Sequence, residues 1–291
     1  MDRRRFLAGS ALLLAGCASK VSALSIGSKN FTEQLVLGEL LAQYLGRFTT
    51  SPIEKRFYLA GTYICHQALL AGRIDMYVEY TGTALVAILK EPPLSDHAAV
   101  FNTVREKYAS TFGVEVFPSL GFDNTFAMVM RGNDARRLRL KTLSDAAAIA
   151  PQLRLGVGYE FLERPDGYKG LVAKYGLQFR EAPRVMDLGL LYRALQNNQV
   201  DIVAGSNTDG LIAALDLVVL EDDRHYFPPY DAVPLVRRET LQRYPWVATA
   251  LQRLSGRIGA EDMRRMNYAV DGEKKDAATV VKSFIEKRLA T

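Results

Sequence analysis

The sequence is poor in the residues on which metal and redox chemistry depend. It has two cysteines and three histidines. His66, His97 and His225 are widely separated and show no metal-ligand spacing, so no metal site is expected from them. Cys65 lies in an apolar-patterned segment and reads as a small buried hydrophobe. Catalytic signatures are missing as well: there is no nucleophile elbow, no phosphate-cradling Gly-Lys-Ser/Thr loop and no paired histidines on one helix. Gly156-Val157-Gly158 follows an expected strand but lacks the third glycine of a dinucleotide loop, and reads as a strand-to-loop turn. No enzyme activity and no cofactor are expected. Nor is nucleic acid an expected partner, because no basic run inside the body exceeds a few residues. The densest, Arg136-Arg137-Leu138-Arg139-Leu140-Lys141, reads as a solvated helix entry or loop. No low-complexity segment or internal repeat is visible.

The N-terminus is distinctive. Arg3, Arg4 and Arg5 precede the apolar run Phe6–Ala15 and small residues, the pattern of an export signal over residues 1–16. The run is too short to span a bilayer, which takes about 20 apolar residues. Leu14-Ala15-Gly16-Cys17 resembles a bacterial lipoprotein box, which implies acylation of Cys17 and a lipid-anchored linker over 17–23. Arg3-Arg4-Arg5-Phe6-Leu7 also resembles a twin-arginine signal, so either export route fits. The expected location is periplasmic or cell-surface, anchored to a membrane through Cys17. Cys65 would then be alone, with no intrachain disulfide available. Loss of residues 1–16 removes three Arg and one Asp, lowering the net charge from +5 to +3.

About 270 remaining residues are enough for two domains. Short apolar strands alternate with helical patterns, which predicts an α/β fold with largely parallel sheets. Expected strands include 23–27, 53–58, 74–77, 125–130, 153–158, 201–204 and 217–221. Expected helices include 61–71, 83–89, 168–175, 188–196, 210–214, 241–254, 261–269 and 277–288. A helix also starts at Asn30–Gln34, with Glu33 in the first turn. The chain changes register near 118–123 and returns near the Pro-rich 221–230. Two lobes follow, 24–121 with 222–291 and 122–221, with a ligand cleft between them.

Aromatic residues gather at the expected strand ends and loops: Tyr77, Tyr80, Phe126, Tyr159, Phe161, Tyr168, Tyr192, Phe227 and Tyr230. Rings facing a cleft attract a quaternary ammonium through the negative π-face, with no hydrogen bond required. A zwitterion also needs a group for its carboxylate, and Arg164 is the candidate.

Several segments in this order and spacing resemble the osmoprotectant substrate-binding proteins of ABC importers, which bind glycine betaine, choline, carnitine or proline betaine. They are Ser28-Lys29-Asn30-Phe31-Thr32-Glu33-Gln34, Glu79-Tyr80-Thr81-Gly82-Thr83, Glu163-Arg164-Pro165-Asp166-Gly167-Tyr168, Thr208-Asp209-Gly210 and Leu220-Glu221-Asp222-Asp223. The resemblance covers about 24–290. It implies a two-lobed periplasmic-binding-protein fold (type II, Venus-flytrap), a monomer that hands solute to a permease and its ATPase. It also implies a cage of four tyrosines and a carboxylate-binding Arg. Carried over, the cage positions are Tyr80, Phe126 after Asn124-Thr125, Ser206, and Tyr230, and the Arg is Arg164.

Phe126 keeps the ring and loses the hydroxyl; Ser206 loses the ring. One cation–π contact is worth roughly 0.5–2 kcal/mol. Its loss would weaken a betaine about 2- to 30-fold. Either the affinity is low, or Asn207, Tyr159 or another group completes a differently shaped pocket for another zwitterion such as an amino acid. A sensor lipoprotein outside transport is the remaining alternative.

Overall fold

The computed structural model describes residues 23–289. The expected signal segment, Cys17 and all but the last residue of the 17–23 linker lie outside the described residues. Ten strands are described: β1 (Leu24–Gly27), β2 (Ile53–Arg56), β3 (Met76–Tyr80), β4 (Val114–Val116), β5 (Phe126–Arg131), β6 (Leu155–Val157), β7 (Arg184–Val185), β8 (Ile202–Ser206), β9 (Leu217–Leu220) and β10 (Ala232–Arg237). They form two sheets, β2-β1-β3-β10-β4 and β7-β6-β8-β5-β9, each flanked by helices. This is the two-lobed α/β architecture expected.

The sheets are mixed, not largely parallel. β10 runs antiparallel to both β3 and β4. β5 runs antiparallel to both β8 and β9. Both antiparallel strands follow the segments that cross between the sheets, so each crossing reverses the chain. β10 escaped the sequence reading because it carries Pro234, which argues against a central strand. The Pro234 carbonyl accepts from the Phe117 amide at 2.9 Å. Carbonyl and N–H of one strand residue point the same way. The missing N–H therefore faces the end of β4, and the β3 ladder is intact.

β3 alternates between two cores, as a strand buried on both faces must. Met76, Val78 and Tyr80 pack with Leu37, Leu40, Leu254 and Val281, from the helices Thr32–Leu45, Trp246–Leu254 and Ala277–Arg288. Tyr77 faces Cys65, Leu69, Val104 and Tyr108 on the other side. The strand runs on to Tyr80, beyond the Tyr77 expected, because all five residues are buried. The expected 241–254 helix is broken at Pro245 into Arg238–Arg243 and Trp246–Leu254.

The two crossing segments pair with each other. Asp123 and Asp231 form an antiparallel bridge. The Leu120 and Asn124 amides donate to Ala232 and Tyr230 carbonyls, and the Ala232 amide donates to Phe122. A two-strand connection of this kind is a natural hinge. The His97 ring sits on it, with Nδ1 2.8 Å from Asp231 Oδ2. His97, Asp123 and Asp231 bring ligand-type atoms within 4.8 Å of one another, a juxtaposition that their sequence spacing hides.

Candidate functional site

Local sequence explains how the candidate side chains meet. β3 ends at Tyr80, and Thr81–Thr83 starts a helical turn. The Thr81 amide donates to the Asp231 carbonyl, and its hydroxyl donates to Pro229 and accepts from the Asp231 amide. The turn is thereby laced to the crossing that carries Tyr230. Gly82 permits this approach, since a Cβ there would lie 2.6 Å from the Pro229 carbonyl oxygen. In the other lobe, helix Tyr159–Glu163 stops because Arg164 precedes Pro165, which forces extended backbone (φ −75°, ψ 143°).

Arg164 is buried, and it reaches from the second sheet to the first. Nε and Nη2 grip Asp166 at 2.9 and 2.5 Å, and Nη1 donates to Thr83 Oγ1 at 3.0 Å. Burial opposes its charge, but the fork on Asp166 outweighs this and holds the guanidinium above its ordinary range. The same guanidinium lies 4.9 Å from the Phe126 ring centroid and 5.8 Å from that of Tyr230. Phe126 and Tyr230 meet edge to face at 5.7 Å, and Phe161 and Phe227 also border Phe126. The Tyr230 hydroxyl donates to Asp166 Oδ2 at 2.6 Å. Phe126 packs against the cores of both sheets.

Tyr80 belongs to a second cluster. Among the described residues no ring pair joins it to Phe126 or Tyr230. Its hydroxyl donates to Glu33 Oε1 at 2.7 Å. The Lys29 ammonium lies 5.1 Å from its ring centroid and pairs with Glu79 at 2.5 Å. Glu33 also accepts from Asn124 Nδ2 and from Asn267 Nδ2 at 2.9 Å. Burial raises the Glu33 carboxyl above its ordinary pKa, against the pull of hydrogen bonds from Thr208, Tyr80, Asn267 and Asn124.

Ser206 pairs with Phe126 across β8 and β5, so the two side chains share a face. Its hydroxyl donates to Asn124 Oδ1 and its amide to Asp209 Oδ2 at 2.8 Å. Asp209 also accepts from the Tyr192 hydroxyl. Burial pushes its carboxyl up to about 7. The Asn207 amide donates to the Thr125 carbonyl at 3.1 Å, and its Oδ1 is buried without a partner among the described residues.

The structure therefore brings Phe126, Tyr230 and Arg164 into direct contact, and Tyr80, Asn124 and Ser206 into one hydrogen-bond network beside them. Asn207 adjoins that network. Tyr159 is 67% exposed, and among the described residues no ring contact joins it to this group. A concavity of about 420 Å³ is lined by Gln43, Arg47, Lys282, Ile285 and Glu286, none of which belongs to this group.

The sequence reading missed Lys29, Glu33, Thr83, Asp166 and Asn267. Four of them stand inside motifs quoted above, and the available signal was charge in an apolar setting. Lys29 and Glu33 are buried on either side of the half-buried helix start Asn30-Phe31-Thr32. Asn267, far along the chain, left no such signal. Cys65 is fully buried, and burial pushes its thiol up to about 12, an unreactive structural group as expected.

Residues 22–287 match the family described as the substrate binding domain of the ABC-type glycine betaine transport system. The carnitine transport binding protein OpuCC of Listeria monocytogenes is 34% identical over 286 residues, spanning 96% of this chain and 92% of that protein. The ergothioneine transport permease/ergothioneine binding protein EgtU of Helicobacter pylori is 34% identical over 282 residues, covering 97% of this chain and half of that longer protein. A crystal structure of a glycine betaine/carnitine/choline ABC transporter superposes with a TM-score of 0.76 at 34% identity, covering 91% of this chain and 98% of that one.

Proposed function

The chain belongs to the family of substrate-binding domains of ABC-type glycine betaine transport systems, and we propose that it captures a quaternary-ammonium osmoprotectant outside the cytoplasm. Glycine betaine, choline, carnitine or a similar solute would be bound without chemistry and delivered to a membrane permease driven by its ATPase. Acylation of Cys17 would tether a monomer to the membrane. Residues 24–121 with 222–291, and 122–221, would be the two bodies that close on the solute.

One observation carries this reading. The Phe126 and Tyr230 rings already hold a delocalised cation, the Arg164 guanidinium, over their faces inside a buried junction of both sheets. That is the environment a trimethylammonium requires. Arg164 also retains the means to hold a carboxylate: three of its five N–H donors are committed to Asp166 and Thr83 among the described residues. Contacts from both sheets to one solute would favour the closed arrangement, since a ligand shifts an equilibrium only by its differential affinity.

The second reading, a different zwitterion on the same fold, is favoured by Ser206 where the resemblance implies a ring. Calorimetric titration with glycine betaine, choline, carnitine and proline betaine separates the two. At least one should bind, and Tyr230→Ala should weaken it by tenfold or more, as loss of a desolvated cation–π contact and of packing implies. Heats indistinguishable from dilution for all four solutes would overturn the proposal.

A further inference from the structure

We infer that Glu33 and Asp209 supply the counter-charge for the bound cation at Ser206, in place of the missing ring. This rests on the quaternary-ammonium reading above. Ser206 stands beside Phe126 on one face of the second sheet. One of its polar groups leads to each carboxylate. The amide donates directly to Asp209, while the hydroxyl reaches Glu33 through Asn124. One carboxylate comes from each lobe: Glu33 from helix Thr32–Leu45, which packs on the first sheet, and Asp209 from the loop after β8.

What sets these two acids apart is the nature of their partners. Asp166 and Glu79, buried nearby, are neutralised by Arg164 and Lys29. Glu33 receives hydrogen bonds from Tyr80, Asn124, Asn267 and Thr208, and Asp209 from Tyr192 and the Ser206 amide. All are neutral donors. Two of these partners, the Asn124 and Asn267 amide nitrogens, can only donate, and their hydrogen bonds favour the ionised carboxylate against the burial that raises its pKa. Among the described residues neither acid makes an ion pair. Asn267 Oδ1 and Asn207 Oδ1, amide oxygens of the same network, are buried without a donor. The region thus carries buried negative charge that no protein cation cancels. Formal charge acts over longer range than a ring face in a medium of low dielectric. A quaternary ammonium offers no N–H to take up those lone pairs, so it would be held by the field alone.

The charge leaves a mark in pH. Burial holds the Asp209 carboxyl at about 7. The groups facing it are Tyr192 from helix Leu191–Gln196, Glu33 from helix Thr32–Leu45 and Asp271 from helix Ala260–Asp271. The Arg264 guanidinium of that last helix is engaged by the Asn207 carbonyl and by Glu261, not by Asp209. A cation beside Asp209 favours its ionised form and lowers its pKa. Binding near pH 6.5 should then expel a proton, and affinity should rise with pH through 7 and level off above it. Each unit by which the cation lowers that pKa makes about a tenfold difference in affinity between the two limits.

The test is calorimetric titration of the purified chain with glycine betaine between pH 6 and 8.5, in pairs of buffers of different ionisation heat. The quaternary nitrogen does not titrate, so proton release belongs to the protein. Release near pH 6.5 that vanishes at pH 8.5 is expected. It should be lost in Asp209→Asn and kept in His97→Gln, which removes the titratable ring on the hinge. Glu33→Gln should weaken binding about tenfold at both ends of the range. Binding with no proton exchange and constant affinity would overturn the inference and leave the proposed function standing. No binding of any quaternary ammonium would remove both. Should either carboxylate variant fail to fold, the proton count of the unmodified protein decides alone.

Discussion

Two clusters of buried charge lie side by side at the junction of the sheets, and they are built on opposite principles. Around Arg164 every charge has an opposite: the guanidinium stands against Asp166. Around Glu33 and Asp209 the carboxylates are surrounded by hydroxyls and amides, and the Lys29 ammonium over the Tyr80 ring pairs with Glu79 instead of with either of them. A buried ion pair with good geometry fixes a conformation and contributes little net field at a distance. A carboxylate held by neutral donors is stabilised locally and still projects its charge. The first cluster is therefore suited to locking the sheets together through Thr83 and Tyr230, the second to attracting something positive.

The comparison breaks most visibly at Asp166. Asp166→Asn leaves the Arg164 guanidinium buried without its counter-ion and takes the charged acceptor from the Tyr230 hydroxyl. Removing one partner of a buried pair costs about 3–5 kcal/mol. Urea denaturation should show a loss of that size with the slope unchanged. A loss under about 1 kcal/mol would mean that the pair does not hold the junction.

Tyr80→Phe probes the other cluster with a smaller expected effect. The substitution keeps the ring under Lys29 and removes one donor to Glu33. A hydrogen bond to a charged group contributes about 1.5–3 kcal/mol. Denaturation at neutral pH should reveal a loss in that range. The same substitution in a Glu33→Gln background should cost about half as much, since the acceptor is then neutral. Equal losses in the two backgrounds would mean that Glu33 is not ionised, and the contrast between the clusters would dissolve.

How far the sequence alone announces this arrangement is itself a matter of charge. The two-lobed α/β plan was legible because apolar strands and amphipathic helices announce themselves by period. The rings were legible because an aromatic at a strand end is conspicuous. The mixed direction of the sheets was not, since strand polarity leaves no trace in composition. β10 was hidden by Pro234, whose missing donor is harmless only because β4 has already ended. Tyr80 was read as a ring waiting for solute, whereas its face lies under Lys29 and its hydroxyl serves Glu33. The pairing of Arg164 with Asp166, two residues apart, was missed because Arg164 was read as the group for a solute carboxylate. That of Asn267 with Glu33 spans 234 residues and only the fold makes it.

Glu160 stands between the two principles and gives the smallest effect. Its carboxylate, half-buried on helix Tyr159–Glu163 beside the second sheet, accepts from the Thr62 amide at 2.5 Å and the Thr62 hydroxyl at 3.2 Å in the first lobe. Thr62 opens the nine-residue helix Thr62–Leu70, so the charge meets the positive end of a helix, neither an ion nor a lone neutral donor. Gly61 makes room for it: a Cβ there would lie 2.1 Å from Glu160 Oε1. The contact joins helix Tyr159–Glu163 to helix Thr62–Leu70, one from each of the two bodies proposed above, so it would favour their closed arrangement and not either body by itself. Glu160→Gln keeps the acceptor and removes the charge, at a cost of about 0.3–1 kcal/mol. That corresponds to roughly a two- to fivefold loss in solute affinity. Urea denaturation should move less than about 0.5 kcal/mol. Distance measurements between labels on the two lobes should show a larger open fraction in the absence of solute. An unchanged open fraction, or a stability loss as large as that of Asp166→Asn, would place Glu160 with the locking cluster.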